Sequence, residues 1–280
     1  MAQKRFDDVD DDDERPRRSR RRDDDYDDDY DDRTRRRKRK SKTPIWVWIA
    51  IPIGLFVVCA GCFGMMLPAV QKVRSAALRS KQMGNMTGIG FGLHAQHDAN
   101  GFFAGPFALD DDKQPNTGLS WRVGVLPFIE QNGVYAQFDR SKSWNSPRNQ
   151  LASNNRVLSY TSPDEMNAVG VDTRVFGFNG PGALMEANLK PPLTFAKIPD
   201  GSSNTAMVAD VTTGAPWASP TDVPYVRNGP LPSFGVAGND SFLLLLADGS
   251  VRNMKKNISP AVMHALIQID DGLVIDFDGL

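Results

Sequence analysis

The chain has 280 residues, 40% of them hydrophobic, and a formal net charge of -1, which is long enough for one sizeable core. The near-zero charge is an average over unequal parts: residues 1–44 carry 15 acidic and 16 basic side chains, while the remaining 236 residues carry 19 and 17. Its only cysteines, Cys59 and Cys62, share one apolar run, so no disulfide can staple the large C-terminal region and burial must hold it.

Residues 1–44 alternate in charge blocks: acidic from Asp7 to Glu14, basic from Arg15 to Arg22, acidic from Asp23 to Asp32, then basic from Arg33 to Lys42. With almost no apolar surface to bury, such a segment cannot offset its ordering entropy, and it is expected to be a disordered polyampholyte. Its blocks attract one another or a charged partner weakly, and the last can touch lipid or nucleic-acid phosphate. The expectation is nonetheless a solvated tail that sets topology, without a nucleic-acid role.

Thr43 to Val70 is a run of 28 residues without a charge. Thr43 and Pro44 are suited to open a helix, and residues 45–70 would make one roughly 39 Å long against a hydrocarbon core of about 30 Å. The reading is a single membrane span kinked at Pro52 and Pro68. Eight basic residues fall in the fifteen positions ending at Lys42 and four in the fifteen starting at Gln71. The larger cluster stays inside, so the N-terminus is expected in the cytoplasm and the C-terminal region outside the inner membrane. Trp46 and Trp48 fit an interfacial anchor on the inner side.

Beyond the span, Val73, Ala76 and Ala77 oppose basic residues at a helical period, and Met83, Met86, Ile89 and Leu93 keep an apolar face as far as Asn100-Gly101. Residues 71–100 therefore read as an extracytoplasmic helix continuing the anchor. Glycines at 84, 88, 90 and 92 each weaken that helix by up to about 1 kcal/mol, which requires the face to be packed. From Phe102 short apolar runs separated by Gly, Pro, Asn and Asp indicate strands and turns. Phe242 to Ala247, Asp248-Gly249 and Ser250 to Met254 predict a hairpin with a type I′ turn, its first strand covered on both faces. Ser259-Pro260 predicts the start of a helix from Ala261 to Ile269. These elements place residues 101–280 in an α+β domain built on a long N-terminal helix.

Leu67-Pro68-Ala69-Val70-Gln71-Lys72-Val73-Arg74, the positions Asn85, Ile89-Gly90 and Leu93-His94, and the runs Gly118 to Val123 and Leu126 to Gln131 resemble the bacterial pilin-like family called domain of unknown function 1559. Asp200 to Thr205 and Ala247 to Val251 look like later motifs of that family. The resemblance covers about Leu67 to Gly272. It implies a pilin-like fold, a long helix on an antiparallel sheet, as in type IV pilins and the pseudopilins of type II secretion. Where many members carry a short leader and the prepilin cleavage motif, this chain has its charged tail and Pro44-Ile45-Trp46-Val47-Trp48. The family's usual cysteines, near Gln82 and in the stretch matching Ser162-Pro163-Asp164, are absent, which implies that packing replaces a covalent staple. A histidine-containing pattern is also missing near Phe234 to Gly238.

His94 and His97 can share a helix face with Asp98 as metal ligands, but no further ligand is spaced to complete a site. Two imidazoles near a helix C-terminus are the simpler account. Asp110-Asp111-Asp112 offers carboxylates for Ca²⁺ without the alternating ligands of an EF-hand. His264 has no serine in a nucleophile-elbow pattern. Cys59-Ala60-Gly61-Cys62 resembles a lipoprotein processing site, yet it stands too far from the start and apolar sequence continues beyond it. Trp121, Trp144 and Trp217 read as core or rim aromatics, and Asp200-Gly201 as a turn. No catalytic, cofactor-binding or metal residue is assigned. The expected role is noncatalytic: a structural or adaptor component in secretion, surface assembly or envelope organisation, able to self-associate or engage envelope proteins. The alternative is an extracytoplasmic binding module for an envelope polymer or protein.

Overall fold

The computed structural model describes residues 44–162, 170–187 and 193–277; at Ala60 and residues 62–69 it describes the backbone alone. The tail therefore lies outside the described residues, as do Thr43 and the side chain of Cys62. The chain divides into two units, Met1–Cys59 and Ala60–Leu280, each taken by itself.

In the first unit the described residues begin helix α1, Ile45–Asn100. The Val47 N–H donates to the Pro44 carbonyl at 2.9 Å, so Pro44 stands just before the helix, where its missing N–H removes no bond. Every large apolar side chain from Ile45 to Val58 except Val47 is exposed. Among the described residues no helix is long and apolar enough to cross a membrane. The described apolar stretch ends at Cys59, and its fifteen residues reach only about 22 Å at the helical rise.

In the second unit α1 supplies a buried stripe, Met86, Ile89 and Leu93, each at most 1% exposed. It packs on a five-stranded sheet with the order β5-β3-β4-β6-β7. The strands are β3 Asp172–Asn179, β4 Ala206–Pro216, β5 Val223–Pro224, β6 Ser241–Leu246 and β7 Val251–Lys255. Pairing is antiparallel except at β5, which runs parallel to β3 through Phe178↔Val223 and Asn179↔Pro224. The sheet is therefore mixed rather than purely antiparallel; Pro224 is tolerated because β5 is an edge strand that has no outer neighbour to serve. A separate two-stranded ribbon, β1 Phe107–Leu109 with β2 Pro115–Ser120, precedes the short helix α2, Trp121–Val125.

Strand β6 is the centre of the unit. Leu243 and Leu245 join the core that contains α1, while Phe242, Leu244 and Leu246 join a second core with Met263, Leu266 and Ile267 of α5, Pro260–Ile267. The unbroken apolar run is thus explained by two covered faces, with period-two alternation deciding which side chain goes where. Helix α5 starts one residue before the expected Ala261 and stops at Ile267, short of the expected Ile269, and Ser259 makes no side-chain capping bond.

Two sequence expectations are corrected here. The hairpin after β6 is not type I′. Its left-handed residue is Gly249, φ +85°, and Asp248 is not among the described non-glycine residues with positive φ. The Gly249 N–H donates to the Leu246 carbonyl at 3.0 Å and the Leu246 N–H to the Ser250 carbonyl at 2.9 Å. This is a three-residue loop closed by a glycine bulge, held by the Ser250 N–H donating to Asp248 Oδ1 at 2.8 Å. The four helix glycines also separate into two kinds. A Cβ at Gly90 would stand 2.9 Å from Leu245 Cδ1, and one at Gly92 2.7 Å from Val125 Cγ1, whereas Gly84 and Gly88 face open space. Only the first pair permits close packing.

Candidate functional site

Two polar constellations stand out against this frame. The first is enclosed. Ser120 ends β2 and caps α2, its Oγ accepting the Arg122 N–H at 3.2 Å, and this turn directs Arg122 into the core. Arg122 and Asp222 are both wholly shielded and pair Nη2 to Oδ1 at 2.9 Å. Arg122 also donates to the Val175 carbonyl through Nε at 2.9 Å and Nη2 at 2.6 Å, and to Ser120 Oγ through Nη1 at 2.7 Å. Its guanidinium lies 4.7 Å from the Trp121 ring centre and 5.1 Å from that of Phe176, where its weak hydration suits cation–π contact.

Asp222 Oδ1 accepts the Gly177 N–H at 2.9 Å and the Trp121 Nε1–H at 3.3 Å as well. Burial pushes the Asp222 carboxyl above its ordinary value, opposed by the Arg122 charge and by these donors. The Tyr160 hydroxyl donates to the Arg122 carbonyl at 2.8 Å, and burial raises it far enough to stay protonated. Enclosed on all sides, the pair organises the core: it ties β2 and α2 to β3 and to the segment entering β5.

The second constellation is open. The buried stripe of α1 continues at helical spacing into Gln96 and then Asn100, which line a cleft of about 240 Å³. Gln96 is 4% exposed, and its carboxamide lies against Gly124. A side chain at Gly124 would strike that amide, so the glycine keeps it in place. The loop between β1 and β2 closes one side. There Asp110 Oδ1 accepts the backbone N–H groups of Asp112 at 3.0 Å and Gln114 at 2.8 Å, an Asx turn. Asp111 pairs with Arg140, whose guanidinium lies 4.9 Å from the Tyr135 ring centre. Burial raises the Tyr135 hydroxyl above the usual phenol range, so it carries its proton at neutral pH. Phe128, 38% exposed, adds an aromatic wall.

The residues singled out in the sequence are distributed elsewhere. His94 and His97 both pack on Phe195, with ring centres 4.2 Å and 4.8 Å from it, and His97 Nδ1 meets Asp98 Oδ1 at 3.1 Å. Among the described residues no group of three or more His, Cys, Asp or Glu stands together. His264 is held between the Tyr225 hydroxyl and the Gly229 carbonyl, each at 3.1 Å, which leaves neither ring nitrogen for a serine. Trp121 and Trp217 are core residues and Trp144 is half-buried. Gly201 has φ +84°, and Asp200 accepts the N–H groups of Asp271 and Gly272, each at 2.8 Å, so Asp200-Gly201 is a turn that also fastens the C-terminal segment. Cys59 is a free, exposed thiol; the lipoprotein-like motif it opens extends beyond the described side chains. Gln82, where the resembling family has a cysteine nearby, donates to Asp210 Oδ2 at 2.8 Å and so ties α1 to β4 without a covalent bond.

Sequence reasoning missed both constellations. Arg122 interrupts the apolar run Trp121-Arg122-Val123, a usable signal that a charge is buried, but nothing local points to Asp222. Gln96 and Asn100 fall at the helical spacing of the apolar stripe of α1, a signal that could have found them.

The arrangement defines an α+β domain in which a long helix covers one face of a mostly antiparallel sheet. The chain belongs to the family described as "Protein of unknown function (DUF1559)", whose model matches residues 71–240, more than half of the 280 residues. No curated protein and no solved structure matches it.

Proposed function

We propose that the chain is a noncatalytic, single-pass protein of the cytoplasmic membrane that displays its α+β domain on the outer side as a structural or adaptor component of secretion, surface assembly or envelope organisation. One observation carries the reading: a helix begins at Ile45 with its large apolar side chains exposed, directly behind eight basic residues in fifteen positions. Water penalises such a surface and lipid does not. The uncharged run continues to Val70, which gives the length a span needs, and the basic cluster fixes the orientation. A pilin-like arrangement of helix on sheet, as the family resemblance implies, suits a domain presented by its own anchor.

Alkaline carbonate is expected to leave the full chain in the membrane pellet, and protease added to sealed spheroplasts is expected to digest residues beyond the span while sparing the tail. Release by carbonate, or a domain protected from protease, rejects the reading. Crosslinking in membranes separates assembly from display: a regular ladder supports self-association.

A second reading, a binding module for an envelope polymer, is favoured by the cleft at the end of α1, which is lined by Gln96, Asn100, Tyr135 and Phe128.

A further inference from the structure

The lining of that cleft narrows what can occupy it. Its charges cancel: Asp110 and Asp111 stand against Lys113 and Arg140. Asp110 Oδ1 is taken up by two backbone N–H groups and Asp111 by Arg140. The net charge of the lining is therefore zero, which favours neither sign of ion. Beside these charges stand neutral groups: the carboxamides of Gln96 and Asn100 and the protonated hydroxyl of Tyr135, each able both to donate and to accept. Gln96 is the central group: the residue is 4% exposed and lines the cleft, where a ligand hydroxyl can take the place of water on its amide. Phe128 and Pro127 provide an apolar wall beside these groups. At about 240 Å³ the space falls below the roughly 300 Å³ at which drug-sized sites begin.

We propose that this cleft binds one uncharged pyranose sugar residue, free or at the end of a glycan, with its hydroxyls on Gln96 and Asn100 and its C–H face against Phe128. A sugar ring matches the lining in each respect: it is small, uncharged, apolar on one face and rimmed by groups that donate and accept. The inference rests on the second reading above and names its ligand class and its residues.

The test uses the full chain in nanodiscs of neutral lipid and saturation-transfer NMR with four probes: glucose, N-acetylglucosamine, a tetrasaccharide of N-acetylglucosamine, and glucuronate. Transfer to a neutral sugar is expected, weakened about tenfold or more by Phe128→Ala and by Gln96→Leu. Phe128→Tyr keeps the platform and is expected to bind as the parent does. Phe91→Ala, at a site on α1 that is 71% exposed and outside the cleft, is expected to leave binding unchanged. Response to the tetrasaccharide alone identifies a polymer as the source, and equal response to the single sugars identifies free sugar; both support the proposal. It is overturned by the absence of transfer to every neutral probe, by glucuronate binding as well or better, or by affinities that Phe128→Ala and Gln96→Leu leave unaltered. None of these failures touches the membrane anchor, which carbonate and protease report separately.

Discussion

Arg122 and Asp222, one hundred positions apart in sequence, form a 2.9 Å ion pair from which solvent is wholly excluded. Such a pair contributes little net stability relative to apolar residues of the same shape, but breaking it leaves a charge stranded in the core. Asp222→Asn is therefore expected to destabilise the domain by about 3–5 kcal/mol. The double variant Arg122→Met/Asp222→Leu is expected to lose much less than the two single losses combined. A denaturation double-mutant cycle measures this directly, and simple additivity would show that the two charges are not coupled.

Helix α1 carries glycines whose replacement should act in opposite directions. Gly84 has open space where a Cβ would stand, so Gly84→Ala is expected to stabilise the helix by about 0.5–1 kcal/mol. Gly92 has Val125 Cγ1 2.7 Å and Ile129 Cγ2 2.8 Å from the same point, and Gly92→Ala is expected to cost about 1–3 kcal/mol through overpacking. Thermal midpoints of the two variants check the pair, and a shift of the same sign in both would contradict the packing described.

The β6–β7 loop makes a sharper demand on its glycine than on its aspartate. Gly249→Ala forces a Cβ into φ +85° and is expected to cost about 1–2 kcal/mol, while Gly249→Asn is expected to recover part of that loss. Equal stability of the alanine and asparagine variants would mean that the left-handed conformation is not retained.

Acid stability offers a test outside the core. The Asp139 carboxyl is held below its ordinary value first by the Ser141 hydroxyl, at 2.6 Å, and then by the Ser141 N–H, at 3.1 Å. A carboxyl with a depressed folded value binds fewer protons in the fold than in the unfolded chain. Its contribution is complete above the unfolded value of 3.8 and is lost as pH falls through the folded one. Ser141→Ala is expected to flatten the decline in unfolding midpoint between about pH 5 and pH 2. An acid limb identical to that of the parent would assign the decline to other groups.

Much of the fold was legible because it rests on local rules. The apolar run Phe242 to Ala247 signalled a strand covered on both faces, and Met86, Ile89 and Leu93 signalled a helix with one buried stripe; both are present. Asn100-Gly101 marks the helix end, with Gly101 at φ +80°. The turn after β6 was placed correctly but given the wrong type. Asn-Gly and Asp-Gly pairs suit several loops, and the choice among them depends on how many residues the paired strands leave between them, here set by Leu245↔Val251. The parallel edge strand β5 escaped notice because two residues give no periodicity to read.

The site was less legible for the same reason. His94 and His97 drew attention as residue types that bind metals, yet what they touch is Phe195, a residue from a distant segment that nothing in their own spacing announces. Gln96 drew none, although it continues the stripe of Met86, Ile89 and Leu93.

The order of residues by itself determined a charged tail, an uncharged run of 28 residues, a helix with one apolar face and a β6 strand apolar on both, because each depends on side chains only a few positions apart. Tertiary structure alone decided that Arg122 meets Asp222, that Gly92 must stay small while Gly84 need not, and that Gln96 and Asn100 share a cleft with Phe128 and Arg140. Those pairings join segments far apart along the chain. Which of them meet is settled by how the helix and the ribbon pack around the sheet, and no local propensity carries that information.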